Sequence, residues 1–188
     1  VSFEVKQGQV FSIIGPNGAG KTTMFNVITG IYPASGGDVI FEGRNLKGLP
    51  AHSVTELGMA RTYQIVRLFD NMSVLENIKA GVWDILFNLP RARNERKQAR
   101  EKSLELLERV GLLDYKDLLA SSLPLGLRKR LQVARALATN PKMVLLDEPT
   151  GGMNPSEKSD MMVLIDKLRK DGLTVLLVEH DMGVVMGV

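Results

Sequence analysis

The run Gly15-Pro16-Asn17-Gly18-Ala19-Gly20-Lys21-Thr22-Thr23 has the glycine spacing and the terminal lysine and hydroxyl that hold a chain of phosphates. Glycines let the backbone curl so that successive N–H groups point inward at anionic oxygens. A helix opening at the lysine turns the positive end of its dipole on the same charge. In this arrangement Lys21 reaches the β- and γ-phosphates and the Thr22 hydroxyl ligates Mg2+. Such a P-loop fixes the ligand class, a nucleoside triphosphate, but leaves the reaction open.

Four further residues bear on the reaction. Met143-Val144-Leu145-Leu146 is an apolar run closed by Asp147 and Glu148. The first carboxylate is placed to hold Mg2+ through its water shell opposite Thr22, and the second to polarise an attacking water as a general base. His180 follows another apolar run, Leu173 to Val178, and a neutral imidazole there can hydrogen-bond the γ-phosphate or orient the water. Gln64 follows a shorter run, and its amide oxygen can ligate Mg2+ and sense the γ-phosphate. Taken singly, the histidine and the glutamine also suit structural roles.

These residues need a frame that brings strand ends together. The pattern predicts two strands within Val1 to Ile14, joined by Lys6-Gln7-Gly8, and then the P-loop with a helix closed by Gly30. A strand follows at Asp38 to Glu42, ending at Gly43, then a short helix at Ala51 to Leu57 and a strand at Met59 to Thr62. From Ser73 to Leu137 the periodicity is helical. Ser73-Val74-Leu75-Glu76 reads as a capping box, with Val74, Ile78 and Val82 on one face and Trp83 in the core or at an interface edge. A helix from Arg91 to Val110 opens with a basic, solvated face and closes with Leu104, Leu107 and Val110 inward. The strand and helix alternation then returns: Met143 to Asp147 is a strand buried on both faces, Pro155 to Lys170 a helix, and Leu173 to Val178 a strand, with a new helix after His180. Met161-Met162 reads as core filling, and His52 as a surface residue in a polar loop. Ligands of such α/β sheets collect at the carboxyl ends of the strands, where all the candidate residues lie.

With 188 residues, 44% of them hydrophobic, the chain can bury one substantial core. A net charge of +3 is too weak to argue for nucleic acid. There is no cysteine, so disulfides and thiolate metal sites are excluded, and no apolar run reaches the length of a membrane-spanning helix. The alternation already under way at Val1 and the stop at Val188 read as a domain cut at both ends.

Together these residues resemble the ATPase subunit of an ABC transporter, and the resemblance spans the chain. Gly15 to Thr23 is similar to the Walker A motif, Gln64 to the Q-loop, Met143 to Glu148 to the Walker B strand with its catalytic glutamate, and His180 to the switch histidine. Gly151-Gly152-Met153-Asn154 falls at the D-loop, and Leu123 to Leu137 aligns with the signature segment and its helix. Asn71 to Ile78, Asn154-Pro155 and Val178 to Met182 resemble the branched-chain amino acid importer branch. The resemblance implies an α/β P-loop NTPase (RecA-like) core sheet flanked by helices, formed by residues 1–70 and 138–188, with an inserted all-helical subdomain at 71–137. It also implies ATP and Mg2+ as cofactors, and a second ABC ATPase subunit closing head to tail so that each P-loop meets the partner's signature. Transmembrane permease subunits would be driven at the cytoplasmic face of the membrane and would meet residues around Gln64 to Asn77, and no nucleic acid is expected. The aromatic residue that stacks on adenine in this family belongs upstream of Val1.

One departure stands out. Where the family's signature usually reads Leu-Ser-Gly-Gly-Gln, this chain has Leu123-Pro124-Leu125-Gly126-Leu127. Pro124 brings neither hydroxyl nor N–H, which leaves Gly126 and the following helix N-terminus as donors to a partner's phosphate. Two alternatives remain in view: an ABC ATPase acting on DNA or ribosomes, and a hydrolysis-poor nucleotide sensor. A GTPase or small-molecule kinase would share the P-loop, but the sequence carries no Asn-Lys-x-Asp motif for guanine. The separation of Lys21 from Asp147 also has no room for the long coiled-coil insertions of DNA-repair members.

Overall fold

The computed structural model describes residues 1–86 and 93–180, with side chains given for these outside 83–96. The elements run β1 (Val10–Ile14), α1 (Lys21–Ile28), β2 (Ile40–Phe41), β3 (Arg44–Asn45), α2 (Ala51–Glu56) and β4 (Met59–Arg61). Next come α3 (Val74–Leu86), α4 (Arg93–Arg109), two short 3-10 turns, α5 (Leu125–Leu137), β5 (Met143–Asp147), α6 (Pro155–Lys170) and β6 (Thr174–Glu179). The side-chain placement of Trp83 and the helix expected after His180 lie outside the described residues.

Four strands form one parallel sheet in the order β1-β6-β5-β4. In the central strands β5 and β6 every residue is buried, which accounts for their continuous apolar runs. Alternate residues serve opposite faces. Val144, Leu146, Val175 and Leu177 enter one cluster, whereas Met143, Leu145, Leu176 and Val178 enter the other. The second cluster is completed by Phe25 and Ile28 of α1 and Val54 of α2. The first is filled by α3 through α6, so the helical stretch has its core in continuity with one sheet face.

Within the helical stretch the local signals act as their chemistry requires. Ser73 N–H donates to Glu76 Oε2 at 2.8 Å, and Glu76 N–H donates to Ser73 Oγ at 3.2 Å, closing the capping box. Val74, Ile78 and Val82 are buried, as are Met161 and Met162. Gly81 lets α3 approach the end of α5 closely: a Cβ there would stand 3.0 Å from Ala138 Cβ and 3.2 Å from the Arg135 carbonyl oxygen. A second capping box, between Asn154 and Glu157, opens α6 behind Pro155.

Four expectations need correction. Val1 to Val5 is not a strand: the segment is held by side chains, with Phe3 stacked on Phe11 at 5.2 Å and Val5 against the second cluster. The strand expected at Asp38 to Glu42 shortens to Ile40–Phe41, because Glu42 (φ 48°) and Gly43 (φ 76°) turn the chain back into β3 as a hairpin. His52 is exposed as expected, but it lies on α2 rather than in a loop. In α4 the buried line runs through Ala99, Ser103, Leu106, Leu107 and Val110, with Leu104 only half-buried at its edge.

Candidate active site

Each parallel strand delivers one candidate at its carboxyl end. Gly15 follows β1, Gln64 lies just beyond β4, Asp147 ends β5 with Glu148 after it, and His180 follows β6. Gly18 and Gly20 have φ of 83° and 84°, a left-handed backbone that glycine adopts without steric cost. α1 begins directly at Lys21. No side chain caps it and no acid stands in its first turn, so its leading amides and dipole face outward unneutralised. Lys21 Nζ donates to the carbonyls of Gly15 at 2.6 Å and Pro16 at 2.9 Å, which holds the ammonium over the loop it closes. Pro16, Asn17, Gly18, Ala19, Gly20, Thr22 and Thr23 are all exposed.

Asp147 is buried at 2% exposure, with Oδ2 paired to Arg61 Nη2 at 3.0 Å. Its other oxygen, Oδ1, is buried without a hydrogen-bond partner among the described residues. Burial pushes this carboxyl up from its ordinary range. Arg61 opposes the shift, as does Lys21 at longer range. A desolvated carboxylate oxygen with no donor is costly by itself, and it fits a role facing a hydrated cation.

Gln64 Nε2 donates to Glu148 Oε2 at 2.9 Å, and His180 Nδ1 stands 3.8 Å from Glu148 Oε1. Three of the expected residues therefore meet at one carboxylate. Glu148 has φ 46°, a left-handed backbone that costs a side-chain-bearing residue about 1 to 2 kcal/mol. Its N–H donates to the Val178 carbonyl at 3.0 Å, and its own carbonyl accepts from Gly151 N–H at 3.2 Å. Gly126 lies elsewhere, buried in the first turn of α5, where a Cβ would approach Glu157 Oε1 to 2.8 Å. Pro124 occupies the N-cap of α5 with no side-chain cap bond.

Several buried polar residues escape a sequence reading. Arg61 joins Asp147, donates to Asn26 Oδ1 at 2.5 Å, and lies over the rings of Phe25 and Tyr63 at 5.4 and 5.0 Å. Its one signal is a charge inside a short apolar strand. Lys129 Nζ donates to the Glu148 carbonyl at 2.8 Å. Glu179, fully buried, accepts from both the N–H and the hydroxyl of Thr150. Both sit beside the turn that carries Glu148.

The sequence pattern of the ABC transporter family matches residues 1–151. The chain belongs to the ABC transporter family. The ATP-binding protein LivG of Salmonella typhimurium, named for high-affinity branched-chain amino acid transport, is 42% identical over the whole of this chain and 77% of its own length. A solved ATP-binding cassette of an ABC transporter superposes with a TM-score of 0.87 at 34% identity, covering 99% of this chain and 76% of that one. A dimeric cassette solved in a post-hydrolysis state with ADP and Pi gives 0.82 at 29% identity, covering 97% and 79%. This ABC chain is thus a P-loop ATPase with a parallel sheet flanked by helices. Among its described residues no helix is long and apolar enough to cross a membrane.

Proposed function

We propose that this chain is the ATP-hydrolysing subunit of an importer for branched-chain amino acids, pairing with a second ABC ATPase around ATP and driving permease subunits at the cytoplasmic face of the membrane. The full-length likeness to LivG supports the solute class, and the likeness to a dimeric cassette supports the pairing. The observation that carries the chemistry is the convergence of Gln64 and His180 on Glu148, beside a P-loop and a buried Asp147. In this reading the amides of Gly15 to Thr23 and the Lys21 ammonium hold the phosphates. Thr22 and Asp147 hold Mg2+, Asp147 through its unpartnered Oδ1, and the Gln64 carbonyl oxygen adds a ligand. The metal, when bound, neutralises charge developing on the β- and γ-oxygens.

Glu148 takes a proton from the attacking water as the water oxygen bonds to the γ-phosphorus. The bond to the β–γ bridging oxygen breaks, and ADP leaves with that oxygen. Gln64 fixes the direction of the carboxylate through its 2.9 Å bond, and His180 stands where it can steady the γ-phosphate. Residues 71–137 act as the helical subdomain that presents Gly126 and the N-terminus of α5 to the partner's nucleotide. Pro124 lacks the hydroxyl and N–H of a serine there. The pair is therefore asymmetric: this chain's Lys21, Asp147 and Glu148 work against the partner's signature, while its own signature serves a weaker site. The test is Glu148→Gln in the purified complex. Turnover should fall by about a hundredfold or more with nucleotide binding retained. A nucleotide sensor would leave turnover unchanged, and that result would end this reading.

A further inference from the structure

Lys129, in the second turn of α5, is buried at 6% exposure, yet no carboxylate is within salt-bridge distance of it among the described residues. Its ammonium instead donates at 2.8 Å to the backbone carbonyl of Glu148. Burying a cation with no paired carboxylate costs stability, and here the carbonyl that it bonds belongs to a residue in a strained left-handed conformation. Burial pushes the Lys129 pKa down, and the charges of Glu179 and Glu148 oppose that shift.

The rest of the turn after β5 is pinned to the same helix. A Cβ on Gly152 would stand 3.0 Å from Leu125 Cδ2, and one on Gly126 would meet Glu157 Oε1 at 2.8 Å, so α5 is in close contact at three points with the loop after β5 and the first turn of α6. Gly151 is packed likewise, its Cβ position 3.3 Å from Lys129 Nζ. From the other side, Glu179 at the end of β6 holds Thr150 through two hydrogen bonds. Of these attachments, the Lys129 bond is the one that reaches Glu148 itself from α5. A shift of α5 by about 1 Å directly away from the Glu148 carbonyl would take the bond past hydrogen-bonding range.

We propose that Lys129 is a positioning residue, which ties the placement of α5 to the backbone conformation that aims the Glu148 carboxylate. The inference rests on the reading of Glu148 as the general base and of the α5 N-terminus as the face shown to a partner's nucleotide. It adds a connection within one chain: closure of α5 on the partner's ATP sets the base for the chain's own ATP. Gln64 and His180 act on the Glu148 side chain, whereas Lys129 acts on its peptide.

The experiment compares Lys129→Met and Lys129→Arg with the unaltered chain and with Glu148→Gln, each in the assembled complex. It measures kcat and KM for ATP, nucleotide affinity without turnover, and the melting temperature. Lys129→Met should lower kcat by about tenfold or more, the scale of losing one charge-assisted hydrogen bond, with nucleotide affinity changed less than about threefold. Lys129→Arg, which keeps a cationic donor, should recover most of that loss. An unchanged kcat in Lys129→Met overturns the proposal. So does a loss that Lys129→Arg fails to recover and that nucleotide affinity and melting temperature share equally, because a plain folding defect would produce it. If Lys129→Met does not assemble, Lys129→Gln takes its place: a neutral donor should give an intermediate kcat, and kcat equal to the unaltered chain overturns the proposal. Glu148→Gln separates the two readings. Full turnover in that variant removes the general-base assignment, whereas its inactivity beside a fully active Lys129→Met removes only the link through α5.

Discussion

Replacing Arg61 with Met tests how the buried carboxylate at the end of β5 is kept in place. The two side chains of the Arg61–Asp147 pair are 5% and 1% exposed, so solvent screens their attraction little. Removing one partner of such a pair strands a buried charge, at a cost of about 3 to 5 kcal/mol. The loss includes the Arg61 bond to Asn26 and the packing of its guanidinium over Phe25 and Tyr63. Urea denaturation of nucleotide-free protein should show this drop with an unchanged m-value. Adding Asp147→Asn should restore about half or more of it, because a neutral amide leaves no stranded charge. The pH dependence has a definite sign. Burial already pushes the Asp147 carboxyl up, and without Arg61 it rises further, so the folded variant binds a proton that the unfolded chain releases. Its stability should therefore increase as pH falls through the raised native value, and the gap to the unaltered chain should narrow. A loss below about 1 kcal/mol, or a double variant less stable than Arg61→Met alone, would refute the argument.

Gly81→Ala places a methyl 3.0 Å from Ala138 Cβ and 3.2 Å from the Arg135 carbonyl. The overpacking outweighs the better helix propensity of alanine, and a loss of about 1 to 2 kcal/mol is expected in the same urea assay. A gain in stability would mean that α3 and α5 have room to part. The asymmetry inferred from Pro124 predicts unequal losses when the Walker B glutamates of the two ATPase subunits are changed to glutamine one at a time: the larger loss should follow Glu148→Gln in this chain. Equal losses in steady-state ATP turnover would sink it.

The elements most legible in the sequence are those whose signal is local. Met143–Asp147 and Pro155–Lys170 lie where the apolar run and the Asn154-Pro155 start predict them, because a doubly buried strand and a capped helix are written in neighbouring residues. The return strand Arg44–Asn45 was hidden, since Glu42 adopts a positive φ that its residue type does not advertise. The alternation of Val1 to Val5 gave the opposite error, because alternation shows the capacity to pair and not the presence of a partner. At the candidate site, motif spacing pointed to the residues that the fold gathers at the strand ends, Gly15, Gln64, Asp147, Glu148 and His180. Arg61 and Lys129 were not legible: each is a buried cation whose partner is not a sequence neighbour, and only tertiary structure, the sheet for Arg61 and the packing of α5 for Lys129, brings them to Asp147 and Glu148.

The sheet order has a consequence for how the chain acquires its phosphate loop. β1, which carries Gly15 at its end, pairs with β6 in a register that sets Val10 beside Val175, and β6 is the last strand of the described chain to be synthesised. β4 and β5, neighbours in the sheet, are likewise separated by the whole helical stretch. Such pairings close long loops, so they form late and slowly compared with local helices. During synthesis the P-loop leaves the ribosome early, but its strand waits until β6 has been made before it has a ladder to join. The ability to hold a nucleotide thus waits on β6, and ATP in the surrounding solution would act as a ligand that selects chains with β6 in place over those without it.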